Sequence, residues 1–84
     1  MIDRLVAVGD TVLIVDYKTG RHIPETPDAV AEAHARQMAL YRALVAPLYP
    51  GKTVRTLLLF TAGPAMIEVS GERLASALAG LAQS

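Results

Sequence analysis

Ile2-Asp3-Arg4-Leu5-Val6-Ala7-Val8, then Gly9-Asp10, then Thr11-Val12-Leu13-Ile14-Val15-Asp16-Tyr17-Lys18 is the stretch that decides the fold. Two runs rich in apolar and β-branched residues flank a Gly-Asp pair, the pattern of a β-hairpin closed by a two-residue turn. That turn sets the register. Val8 faces Thr11, Val6 faces Leu13, Leu5 faces Ile14, and Asp3 lies directly opposite Asp16. Side chains alternate along a strand, so Lys18 shares a face with Asp16. Asp3, Asp16 and Lys18 therefore gather at the open end of the hairpin, above an apolar floor of Leu5, Ala7, Val12 and Ile14.

Directly opposed residues bring their Cβ atoms to about 4.5–5.5 Å, where like charges destabilise the pair. The nearby Lys18 offsets part of that repulsion, a shared proton would serve, and a divalent cation bridging both carboxylates would serve best. Hard oxygen ligands favour Mg²⁺, which takes one or two carboxylates together with water and substrate phosphate. A lysine beside two carboxylates and such an ion makes a phosphodiester-hydrolysis site. The competing reading is a solvated strand end, and a register slip of one residue would send one carboxylate to the other face.

Residues 21–27 contain two prolines and read as a loop. Thr26 as N-cap with Pro27 at the first helical position predicts a helix from about Pro27 to Ala46, ending before Pro47. Pro50-Gly51 marks a turn, and Leu57-Leu58-Leu59-Phe60 within residues 53–61 suits a strand covered on both faces. Residues 65–69 suit a short returning strand. Ser70 caps a final helix through about Ala82, with Leu74, Leu78 and Leu81 as its apolar stripe. The order is β-β-α-β-β-α, a mixed α/β layer.

Eight basic and eight acidic residues give these 84 residues a formal net charge of zero, which excludes a polybasic nucleic-acid or membrane binder. Fourteen alanines and eleven leucines among 52% hydrophobic residues describe a folded, helix-rich chain, and 84 residues make one small domain or part of a larger one. Without cysteine there are no disulfides and no thiolate chemistry, which fits a cytoplasmic setting. The longest strongly apolar run, Leu57 to Phe60, is far short of the roughly 20 residues that span a bilayer. Asp3 and Arg4 stand before any apolar stretch, unlike a signal peptide.

Ile2-Asp3-Arg4-Leu5, Ile14-Val15-Asp16-Tyr17-Lys18-Thr19-Gly20, and Gln37 and Tyr41 on the main helix together resemble the RecB-like nucleases of the PD-(D/E)XK superfamily. The likeness is greatest to the C-terminal nuclease domain of AddA, the helicase-nuclease subunit of bacterial double-strand-break repair. It implies a restriction-endonuclease-like mixed sheet with flanking helices. By position, Asp3 and Asp16 match acidic metal ligands, the Tyr17 backbone carbonyl a further ligand, and Lys18 the lysine of the signature. Gln37 and Tyr41 match a helical motif that supports the site or touches DNA. The implied activity is Mg²⁺-dependent (or Mn²⁺-dependent) DNA exonuclease hydrolysis by metal-activated water, with Asp16 and Lys18 catalytic. The implied partners are DNA, the helicase domains of a parent polypeptide and its partner subunit, with no membrane. Family members carry an upstream helix with a further His or Glu. This chain begins just before Asp3, so the expectation is a partial RecB-like nuclease domain over residues 1–84.

The alternative function is a non-catalytic remnant acting as a structural or protein-interaction domain, a homodimer joined through its exposed sheet edge or Ala-rich helices. His34, three residues before Gln37, reads as a half-exposed helix residue, and His22 as a solvated loop residue. Arg21, Arg36, Arg42 and Lys52 would contact phosphate if they gathered on the site's side. Glu32 and Arg36 read as an i,i+4 pair.

Overall fold

A computed structural model describes residues 3–83, with side chains described throughout that range except at position 28 and from 81 onward. Ile2 and the Leu81 side chain of the expected stripe lie outside the described residues. Gly9 adopts φ 57° while Asp10 does not share a positive φ, the arrangement of a hairpin turn with glycine at its first central position. That turn joins β1 (Arg4–Val8) to β2 (Thr11–Lys18) in the expected register, Val8 on Thr11 and Leu5 on Ile14.

β2 is parallel to β3 (Thr53–Phe60), so a crossover must join them, and α1 (Glu32–Val45) supplies it. β4 (Ala65–Val69) returns antiparallel to β3, and α2 (Gly71–Gln83) follows. The strands lie in the order β1-β2-β3-β4. This is the mixed sheet with two helices expected from the β-β-α-β-β-α reading.

Both helices cover one face. From that face Val12, Ile14, Leu58, Phe60 and Val69 meet Ala35, Met38 and Ala39 of α1 and Leu74 and Ala77 of α2. Each of the larger fully buried side chains among them, such as Val12, Ile14, Met38 and Leu58, contributes roughly 1.5–3 kcal/mol by leaving water. The buried Thr56 hydroxyl donates to the Val69 carbonyl at 3.1 Å, so its burial leaves no polar group unpaired. β3 is tied to β2 beyond both strand ends: Thr53 N–H donates to Asp10 O at 2.8 Å and Thr61 N–H to Lys18 O at 3.0 Å.

The long helix starts later than the Thr26-Pro27 pattern predicts. Pro27–Ala29 forms a short 3₁₀ turn, and Thr26 makes no side-chain cap. Val30 and Ala31 are extended, and α1 begins at Glu32. Val30 enters the core at 2% exposure, which a continuous helix would not deliver, and its freed carbonyl accepts from Arg73 Nη2 at 3.1 Å. At the other end α1 stops at Val45 and Pro47 sits in a 3₁₀ turn over Ala46–Leu48, because proline has no N–H to continue the ladder. Ser70 caps α2 as expected, its Oγ accepting from Arg73 N–H at 3.1 Å.

Two burial expectations fail for one reason each. Leu57 and Leu59 are only half-buried, because β3 is covered on the helix face alone. The apolar floor is dry only on β2, where Val12 and Ile14 are fully buried. Leu5 remains 42% exposed on the edge strand β1, to one side of the helices.

Candidate active site

The hairpin register brings Asp3, Asp16 and Lys18 together at one end of the sheet. Asp3 lies just before β1, and its Oδ2 accepts the Tyr17 backbone N–H at 2.8 Å, which anchors the carboxylate across from Asp16. Within a strand a residue's N–H and C=O point to the same side, so the Tyr17 carbonyl also faces the Asp3 side of β2. The two carboxyl groups lie within hydrogen-bonding reach of each other.

Asp16 is buried at 4% exposure while Asp3 is open to solvent. The environments split the pair. Burial, together with the Asp3 carboxyl, raises the Asp16 pKa; the hydrogen bonds from Asp16 and from Tyr17 N–H lower that of Asp3. A proton shared between them therefore resides on Asp16, and the pair titrates as a unit.

Lys18 completes the cluster. Its Nζ lies 2.6 Å from Asp16 Oδ2 and donates to Gln37 Oε1 at 2.8 Å. The approach to Oδ2 is a charge contact outside the directions of a hydrogen bond, so this buried oxygen keeps a lone pair without a directed donor. Gln37 and Tyr41 stand one turn apart on α1, and Gln37 Nε2 donates to the Tyr41 hydroxyl at 3.0 Å. That bond orients the Gln37 amide with its oxygen toward the lysine. All six sequence-predicted site features, including the Tyr17 carbonyl, thus fall at one end of β2 and the facing side of α1.

His34 is the half-exposed helix residue expected, and it stands beside Lys18. It lines a cleft of about 560 Å³ together with Lys18, Arg21, His22 and Phe60. Burial, and then the nearby Lys18 charge, lower its pKa, so the imidazole is neutral at pH 7. The signal was the spacing: residues 34, 37 and 41 share one helical face. The basic residues do not gather as a set. Arg21 reaches the cleft, Arg36 pairs with Glu32 at 3.5 Å, and Arg42 and Lys52 line a separate groove with Ala39 and Leu78.

The Asp16-Tyr17-Lys18 triplet is an acidic residue, any residue, then lysine, with a second acidic residue across the hairpin. A family model of the PD-(D/E)XK nuclease superfamily matches residues 1–81. The chain belongs to the PD-(D/E)XK nuclease superfamily. Members of this superfamily are typically metal-dependent nucleases. No curated protein and no solved structure matches the chain.

The donor set suits the divalent ion such nucleases use. A buried carboxylate oxygen without a directed donor, a second carboxylate at its side and a backbone carbonyl facing the same way are hard oxygen ligands. Among the described residues no group of three or more His, Asp or Glu side chains gathers for a metal. No described helix is long and apolar enough to cross a membrane.

Proposed function

We propose that this PD-(D/E)XK chain carries the metal-dependent DNA-cleaving centre of a RecB-like nuclease. The observation that supports it best is the Lys18 ammonium held 2.6 Å from Asp16 Oδ2 by Gln37, with Asp3 fixed across the hairpin. Asp3, Asp16 and the Tyr17 carbonyl would hold Mg²⁺ or Mn²⁺. Such an ion, when bound, polarises a phosphate oxygen and acidifies water.

The chain's own groups do the rest. A bound cation would favour the ionised Asp16 carboxylate, against the burial that raises its pKa. Lys18, released from part of its pairing with Asp16, presents its ammonium where negative charge builds on the phosphate. Gln37 keeps that ammonium in place, and Tyr41 keeps Gln37 in its orientation. The likeness of Asp3, Asp16-Tyr17-Lys18 and Gln37-x-x-x-Tyr41 to the AddA nuclease domain extends the reading to a DNA exonuclease working with helicase domains in double-strand-break repair, in the cytoplasm. A second reading, a protein-interaction domain, is favoured by the half-exposed Leu57 and Leu59 and by Met66 at 57% exposure on the sheet face away from the helices.

Two measurements decide between these readings. With Mg²⁺ or Mn²⁺ the wild type should cleave linear DNA, and Lys18→Met should lose at least about 10²-fold in rate, the scale for removing one charge-stabilising group. Saturating metal should raise the melting temperature of the wild type but not of Asp16→Ala. Absence of metal-dependent cleavage in the wild type, or equal rates in Lys18→Met, would overturn the nuclease reading.

A further inference from the structure

The cleft beside Lys18 excludes both carboxylates: neither Asp3 nor Asp16 lines it. Its polar lining includes Lys18, Arg21, His22 and His34, and its apolar lining includes Pro24 and Phe60. Among the described side chains that line it, none is acidic. The geometry points to this cleft as a subsite for a second phosphodiester group of the substrate strand, next to the one cleaved, gripped by Arg21 and His34. The identity of that group as strand backbone rests on the nuclease reading.

The chemistry of the wall selects an anion. Lys18 links the cleft to the carboxylate cluster, so a strand whose scissile phosphate lies at Lys18 carries its next linkage toward Arg21. Arg21 is exposed and has no ion pair among the described residues, which leaves its fork of N–H donors for phosphate oxygens. His34 is half-buried on α1, a rigid element, in the same helical row as Gln37. One imidazole N–H can therefore donate from a fixed position while Arg21 adapts from its loop. A cleft of about 560 Å³ falls within the usual range for small-ligand sites, and its Pro24 and Phe60 side gives sugar or base an apolar surface.

The test separates this subsite from cleavage. Trithymidylate, which has two phosphodiester linkages, is titrated in EDTA against the protein and followed by NMR, alongside two analogues each carrying one neutral methylphosphonate linkage. In the wild type the parent compound should shift Gly20, Arg21 and His34 signals, and neutralising one particular linkage should weaken binding about tenfold. In Arg21→Ala that same neutralisation should change affinity less than about twofold, and His34→Gln should lie between. No binding by the parent compound, equal binding of parent and both analogues, or an undiminished preference in Arg21→Ala would overturn the subsite. A wild type that shows the linkage preference yet cleaves no DNA with metal would remove the nuclease reading and retain the phosphate site.

Discussion

The Lys18 ammonium lies 2.6 Å from Asp16 Oδ2, between a strand residue at 4% exposure and the amide of Gln37 on the facing helix. A buried carboxyl whose pKa is raised works against the folded state at neutral pH. The sign follows from proton binding. The folded chain holds the Asp16 proton more tightly than the unfolded chain, so stability falls as pH rises from the ordinary value of 3.8 through the raised folded pKa. Asp3 acts oppositely: its lowered pKa contributes stability above 3.8 that is lost as pH falls through its folded value. Asp16→Asn should therefore melt higher than the wild type at pH 7, with the gap narrowing as pH is lowered toward 4. Melting curves between pH 4 and 8 check this, and a gap that is constant across the range would contradict it.

Gln37→Leu removes the neutral acceptor that holds Lys18 and keeps the helix intact. Hydrogen bonds to charged groups contribute about 1.5–3 kcal/mol. If that interaction positions the ammonium during cleavage, kcat should drop roughly tenfold to a hundredfold with KM nearly unchanged. Tyr41→Phe, which removes the hydroxyl that orients Gln37 and leaves the Lys18–Gln37 bond itself in place, should fall less. Steady-state kinetics on an oligonucleotide substrate check this, with melting curves run beside them, because a loss of fold would also lower apparent kcat at constant KM but would lower the melting temperature as well.

Ser70→Ala should destabilise the chain by about 1 kcal/mol through loss of the cap on α2. For a domain of this size that corresponds to a fall of about 4–8 °C in melting temperature. Ser70→Asp should restore most of it. Thermal denaturation in the absence of metal isolates this effect from the candidate site.

The hairpin was legible because a turn of two residues permits one register, and that register alone juxtaposes Asp3, Asp16 and Lys18. Ser70 was legible because its cap is a local bond within one turn. The start of α1 was not. Thr26 and Pro27 begin a turn of the right kind, but the chain must leave it to bury Val30, and the carbonyl thus freed is satisfied by Arg73, 43 positions away. Local pattern holds no trace of so distant a partner. Continuous leucines in β3 suggested two covered faces, whereas Leu58 and Phe60 enter the core and Leu57 and Leu59 rest half-exposed on the sheet's other side. His34 needed the loop over residues 21–24 to fold back before its place in the cleft became visible.

The backbone bonds from Thr53 to Asp10 and from Thr61 to Lys18 have a genetic consequence. They pin β3 to β2 at both ends, so a codon gained or lost between Thr11 and Lys18 cannot be absorbed by sliding one strand along the other. A single added residue before Asp16 would turn the carboxylate out of the cluster and, in the same step, turn Val12 or Ile14 out of the core. Length variation at that segment is therefore penalised twice, by chemistry and by folding. The connection over residues 19–26 holds no ladder to slip, so a length change there would cost the packing of Ile23 and Pro24 and the lining of the cleft but would leave the sheet register intact.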